Sequence, residues 1–236
     1  MIKDLILALG LCHNVTPVYE REGDMSSRDF QASSPDEVAL VKFADQMGIQ
    51  LIERDQKTIV IKPPGTSEKE SYEILDNFPF SSDTKRMGII LRHVETDTYM
   101  FYLKGAEVVM EKMVRPSQRD CILEQCETLA REGLRTLVIS QKNLDKQEFL
   151  KWNERYKEAK ASMTDRKEAM RKVLDELESE MELLGVTGVE DKLQDNVAST
   201  IESLRLAGIQ IWMLTGDKVE TATCIAISAG FKSRSQ

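Results

Sequence analysis

Five short stretches carry residue types that suit phosphate or nucleotide chemistry. The sharpest is Leu214-Thr215-Gly216-Asp217-Lys218, which closes an apolar run and opens a helical one. A hydroxyl, a glycine and the free amides of a helix start suit a phosphate there. In α/β sheets, ligands gather beyond the carboxyl ends of strands. The same residues also make an ordinary turn and cap. Leu103-Lys104-Gly105-Ala106 ends a strand pattern on a lysine. That lysine reads as a partly desolvated cation facing a phosphate or ribose, or as one that snorkels to water. Phe78-Pro79-Phe80-Ser81-Ser82 precedes Lys85-Arg86-Met87. Phe80 suits stacking on a flat ring and, taken alone, suits a core position better. Glu132-Gly133-Leu134-Arg135-Thr136 and Ser33-Ser34-Pro35-Asp36-Glu37 complete the set. Each has a second reading, helix termination for the former and helix capping for the latter.

Other chemistries lack their residues. No GxxxxGK[ST] occurs, and no GxGxxG follows a strand pattern, so a nucleotide is not held by a glycine-rich cradle. Cys12, Cys121, Cys126 and Cys224 form no CxxC pair, and His13 and His93 stand far apart. No zinc site and no metal ligands are expected, and the thiols read as reduced. The net charge is −8, from 32 basic and 40 acidic residues, without a basic stripe, which argues against nucleic-acid binding. With 41% hydrophobic and 31% charged residues the chain is neither disordered nor collagen-like. Its longest apolar run, Leu5 to Cys12, is too short to cross a bilayer. Met1-Ile2-Lys3-Asp4 lacks the basic start of a signal peptide.

The elements that must position these residues follow from periodicity. At 236 residues the chain has room for one large domain or two small ones. Ile2 to Cys12 reads as an apolar helix, and Tyr19 to Arg28 as an exposed charged loop. Ser34 as cap, Pro35 at the first helical position and Glu37 three residues past the cap start a second helix, which runs to Gly48. Ile49–Glu53, Thr58–Lys62, Tyr72–Phe80, Met87–His93 and Thr98–Leu103 read as strands. The last two flank Glu95-Thr96-Asp97, a hairpin turn, so this sheet is expected to be antiparallel. Ile122, Leu123, Cys126, Leu129 and Ala130 share one helix face that stops before Gly133, and Thr136 to Ser140 is a strand. Asp145 to Leu184 reads as charged and helical, with Met170, Val173, Leu174, Leu177, Met181 and Leu184 at core spacing. A methionine-rich stripe is also the stuff of binding grooves, but core is the usual meaning of such spacing. From Gly185 the pattern becomes strand (to Val189), helix (Asn196–Ala207), strand (Ile209–Leu214) and helix (Lys218–Ala229). That order predicts a parallel, doubly wound piece and a boundary near Leu184.

Taken together and in this order, the five stretches resemble a P-type ATPase of the lipid-transporting (P4, flippase) branch. The strings are SSPDEVALV at Ser33–Val41, FPFSSDTKRM at Phe78–Met87, LKGAEVVM at Leu103–Met110 and EGLRTLV at Glu132–Val138. GVEDKLQD at Gly188–Asp195 and MLTGDKVETA at Met213–Ala222 extend the likeness, which runs from about Ile2 to Phe231. It implies an α/β chain in two parts. Residues 1–184 would be an α+β nucleotide-binding (N) domain on an antiparallel sheet. Residues 185–236 would be part of a phosphorylation (P) domain of the haloacid-dehalogenase type. ATP is the implied ligand. Phe80 would stack on adenine, with Glu37, Lys104 and Arg135 lining the pocket and Ser82 and Thr136 as secondary contacts. Thr215, Gly216 and Asp217 would support the transferred phosphoryl group. CHNVTPVYE at Cys12–Glu20 and the FPF and KRMGII strings point to the subgroup that works without an accessory subunit, on Golgi or endosomal membranes.

The departures from the family pattern matter as much. The DKTGT motif, whose aspartate is phosphorylated, and the magnesium-holding GDGxND loop do not occur in the sequence. The chain is therefore expected to be part of a longer protein, whose other regions would hold most Mg2+ ligands, the membrane helices and the phospholipid. Asp191 matches a hinge-region motif. Two rival readings remain at this level. One is a cation-transporting P-type ATPase, and the other is a non-catalytic interaction module built on the charged helices of Asp145 to Leu184.

Overall fold

The computed structural model describes residues 2–20, 27–163, 165–190 and 192–231. Asp191 and most of the expected Tyr19–Arg28 loop lie outside the described residues. Helix α1 (Ile2–Leu11) leads into a short ribbon, β1 (Thr16–Tyr19) and β2 (Arg28–Gln31). Helix α2 (Pro35–Gln46) follows, then strands β3 (Gln50–Arg54), β4 (Thr58–Lys62), β5 (Glu70–Phe78), β6 (Arg86–His93) and β7 (Tyr99–Gly105). The short α3 (Glu107–Met110) and α4 (Arg119–Arg131) precede β8 (Arg135–Leu144). Helices α5 (Lys146–Ala161) and α6 (Arg166–Leu177) return the chain to β9 (Glu182–Val189). Then come α7 (Val197–Leu206) and α8 (Val219–Ser228).

Strands β3 to β9 form one sheet in chain order, and every neighbouring pair is antiparallel. The expected hairpin is there, with Met87 opposite Lys104 and Arg92 opposite Tyr99. Asp97 turns it at a φ of 53°, a conformation that aspartate tolerates better than most residues. Alternation sends side chains to two cores. Ile59, Ile61, Ile89 and Leu91 pack under α1 and α2, while Ile90, Phe101, Leu103 and Val138 meet Ile122, Cys126, Phe149 and Trp152 of α4 and α5. Being covered on both faces explains why Met87 to Leu91 is a continuous apolar run. The ribbon guards the β3 edge: Tyr19 Oη donates to the Ile52 carbonyl at 2.6 Å and Arg28 Nη1 to the Leu51 carbonyl at 2.7 Å.

Three elements differ from their expected form. The long helix of Asp145 to Leu184 is two helices, and Met181 and Leu184 leave the helical stripe. α6 stops at Leu177 because the next residue, Glu178, turns inward to a bidentate ion pair with Arg86, at 2.9 and 2.5 Å. Residues 185–189 do not start a parallel unit. They extend β9, which lies antiparallel to β8, because the α5–α6 hairpin brings the chain back beside it. Ile209–Leu214 forms no strand, since a strand exists only through a ladder and no described segment lies alongside it. No described helix is long and apolar enough to cross a membrane.

Candidate functional site

Because the pairs are antiparallel, β5, β7 and β9 point the same way. Their carboxyl ends share one edge of the sheet with the starts of β6 and β8. Phe80 and Ser82 follow β5, Lys104 ends β7, and Arg135 and Thr136 start β8. The first turn of α2, with Asp36 and Glu37, closes over the same edge through contacts to Arg135 and Lys104.

Lys104 Nζ donates to Glu37 Oε1 at 2.8 Å, and both side chains are nearly buried. Two charges removed from water are tolerated because each satisfies the other. Glu37 is thus not free to close a capping box, and Ser34 sits at the N-cap with an extended backbone but makes no side-chain capping bond. Behind the pair lie Cys12 and His13. Burial pushes the Cys12 thiol up to about 11. Burial first, then the charges of Arg54 and Lys104, hold the His13 imidazole down at about 3. It stays neutral, with Nε2 bonded to the Gly10 carbonyl at 2.9 Å and Nδ1 accepting from the Val15 amide at 3.0 Å.

Phe80 is 63% exposed, which rules out the core reading. Phe78 takes that role, edge-on to Phe101, Trp152 and Tyr156. The intervening turn is tied by the Lys85 amide to the Ser81 carbonyl at 2.8 Å and by the Thr84 amide to Ser81 Oγ at 3.1 Å. Ser82 is exposed on this turn. The turn is fastened to the end of β7, where the Ala106 amide donates to the Lys85 carbonyl at 3.0 Å. Gly105 makes that approach possible. A Cβ there would stand 2.8 Å from both the Lys85 carbonyl oxygen and Arg86 Cβ.

Arg135 meets two carboxylates, Asp36 at 3.3 Å and Asp217 at 3.7 Å. Thr136 Oγ1 donates to Glu107 Oε2 at 3.3 Å, and Glu107 also pairs with Lys218. The expected phosphate turn is thereby drawn to the start of β8. Its own shape comes from the Asp217 amide, which donates to Thr215 Oγ1 at 3.1 Å. Thr221 Oγ1 bonds the Leu134 carbonyl at 3.3 Å and anchors the following helix. A cavity of about 260 Å³ opens between Asp36, Arg135, Thr136, Gly216 and Asp217. The predicted residues thus fall into two adjoining groups joined by α2: Lys104 with Glu37, and Arg135, Thr136 and the 215–217 turn through Asp36. Phe80 and Ser82 lie on the turn that is tied to the end of β7 through Lys85 and Ala106. Asp36, Glu107 and Lys218 lie within the quoted stretches but received no role from the sequence, since charged neighbours of a motif carry no periodic signal.

A family model described as "P-type ATPase, cytoplasmic domain N" matches residues 1–196. The chain is 49% identical along its full length to the "Phospholipid-transporting ATPase NEO1" of Saccharomyces cerevisiae, covering 20% of that protein. It is 46% identical to the "Probable phospholipid-transporting ATPase IIB" of Homo sapiens, with 100% of this chain and 22% of the relative aligned. It is 47% identical to the "Probable phospholipid-transporting ATPase tat-5" of Caenorhabditis elegans, with 99% of this chain and 22% of the relative aligned. The chain spans about a fifth of the length of these curated relatives.

Proposed function

The chain belongs to the P-type ATPases, and from that premise we propose that it is the ATP-binding cytoplasmic region of a phospholipid-transporting member. The single observation that carries this reading is an exposed aromatic ring, Phe80, on the turn that leaves β5 at the same end of the sheet as the buried Lys104–Glu37 pair. A large apolar ring left in water at a site lined by charge suits a flat heteroaromatic partner.

In this reading adenine stacks on Phe80, and Lys104, held by Glu37, has ammonium hydrogens left to give. The triphosphate runs toward Arg135, Thr136 and the turn of Thr215, Gly216 and Asp217. Arg135 already holds Asp36 and Asp217. A phosphate must therefore displace a carboxylate to be bound bidentately. Phosphoryl transfer asks mainly for positioning and charge neutralisation, which these residues supply. The acceptor would be the aspartate of a DKTGT motif, which this sequence does not contain. Among the described residues no three histidine, cysteine or acidic side chains converge on one point. Mg2+ would enter as the ATP complex. Residues 1–184 would bind the nucleotide and 185–236 would face the phosphoryl group. The parent would move phospholipid between leaflets of Golgi or endosomal membranes, without an accessory subunit.

Calorimetric titration of the chain with MgATP tests the reading. Saturable binding with one site per chain is expected, together with a raised melting temperature. A flat titration on folded protein would reject it.

A further inference from the structure

The turn that follows β5 is held from a distant part of the chain. Arg86, the first residue of β6, reaches across to the end of α6. Its Nε donates to Glu178 Oε1 at 2.9 Å and its Nη2 to Glu178 Oε2 at 2.5 Å, and the Glu178 side chain is nearly buried. The third nitrogen, Nη1, donates to the Thr84 carbonyl at 3.3 Å. One planar group thus bridges a carboxylate of α6 and the backbone of the turn, and its rigid fork fixes one against the other. Among the described residues no other hydrogen bond or ion pair joins this turn to α6. A cleft of about 740 Å³ lies between them, with Asp83 and Thr84 on one side and Met170 and Leu174 on the other.

The carboxylate end of this clamp is stationary. Lys142 Nζ, on β8, donates to the carbonyls of Leu177 at 3.2 Å and Ser179 at 2.8 Å, on either side of Glu178. Trp152 Nε1, on α5, donates to the Val173 carbonyl at 2.9 Å and ties the preceding turn of α6. The other end is strained. Lys85 stands at a φ of 51°, a left-handed conformation that lysine keeps only where its surroundings over-determine it. Its amide is bound to the Ser81 carbonyl and its carbonyl to the Ala106 amide. The Thr84 carbonyl, immediately before it, is bound to Arg86. Phe80 leads into this turn and is 63% exposed. A ring with so little packing of its own takes its direction from the backbone that carries it.

Resting on the nucleotide reading above, we propose that Glu178 is a positioning residue for that site. Acting through Arg86, it holds the 81–85 turn in the shape that presents the Phe80 ring to the base. Glu178 itself touches no nucleotide in this arrangement. It couples α6 to the nucleotide edge, and a shift at the end of the helix passes to the ring through one guanidinium.

A double-mutant cycle on the whole chain, read by titration with MgATP, tests this. Glu178→Gln keeps the side chain's shape and one acceptor. It should weaken ATP by about three- to tenfold, part of the worth of one base–aromatic stack. In a Phe80→Ala background the same substitution should cost less than about twofold, because no ring is left to position. A merely structural role would lower affinity by the same factor in both backgrounds, and that result overturns the proposal. So does wild-type affinity in folded Glu178→Gln. If that variant does not fold, because Arg86 has lost its counter-charge, Arg86→Met combined with Glu178→Leu removes both charges, a change that buried pairs often tolerate. The combined variant should show the same Phe80-dependent loss, and unchanged affinity in it also overturns the proposal. ATP binding by wild type that no change to the pair alters sinks the clamp and spares the nucleotide reading. No binding by wild type sinks both.

Discussion

Phe78 and Phe80 stand two positions apart at one strand exit and do opposite work. The first is packed against three rings of the second core, and the second turns a 63% exposed face to water. Phe80→Ala should therefore weaken ATP binding by about 1–3 kcal/mol, the scale of one base–aromatic stack, and leave the melting temperature unchanged. Phe78→Ala should cost about 3–5 kcal/mol of stability through the cavity it leaves. Titration and melting of both variants check this pair. Unchanged affinity in folded Phe80→Ala would remove the stacking role. His13 supplies a second prediction. Its imidazole titrates at about 3 in the fold against about 6.5 unfolded. As pH falls the unfolded chain binds the proton first, so the contribution of His13 is whole above about 6.5 and is lost progressively down to about 3. The slope from this one group is at most about 1.4 kcal/mol per pH unit. Urea unfolding at pH 7.5 and at pH 5 should show His13→Gln less acid-sensitive than wild type. An identical acid loss in the two proteins would mean that other groups carry it.

At the scale of elements, the site depends on β7 ending in a residue with no side chain. Gly105→Ala would drive a methyl group into the Lys85 carbonyl and Arg86 Cβ, each 2.8 Å from its Cβ position. The backbone there would move, because neither neighbour is the free end of a flexible side chain. We expect a loss of about 1–3 kcal/mol of stability, as for overpacking elsewhere. ATP should also bind more weakly, since the turn carrying Phe80 is tied to β7 at this point. A melting curve and an ATP titration of the variant decide it, and wild-type values in both would show the contact to be soft. The glycine of the Lys104 motif was visible in the sequence, but its reason was not, because the contact joins residues 20 positions apart. Alternation and turn residues made β4 to β7 legible together with their antiparallel sense. The pairing direction of β9 was not, because a strand pattern does not name its neighbour and the α5–α6 return decides it. Strands β1 and β2, with four residues each, are too short to show a period. The Lys104–Glu37 pair joins residues 67 positions apart. Its members could be nominated from their motifs but not their bond.

At the scale of the whole molecule, binding and chemistry separate. The sheet edge gathers Phe80, Lys104, Glu37 and Arg135, and the ion pair to Asp217 adds the turn that would support a phosphoryl group. Among the described residues, the two aspartates at this edge are already engaged. Asp217 and Asp36 are both held by Arg135, and the family's aspartyl motif does not occur in the sequence. Asp191 lies outside the described residues and matches a hinge motif. Covalent catalysis needs a positioned and activated nucleophile, and two carboxylates paired with a guanidinium are not free to attack. The chain should therefore bind MgATP without hydrolysing it or becoming labelled. Affinity should be modest, because a triphosphate must compete with Asp36 and Asp217 for Arg135. Adding salt should weaken ATP more than adenosine, since only the former uses that charge. Arg135→Ala should narrow the gap between the two ligands. Incubation with γ-labelled ATP and Mg2+ is the direct measurement. Acid-stable, hydroxylamine-sensitive label on this chain, or phosphate release above a heat-killed control, would mean that a nucleophile has been overlooked among these residues.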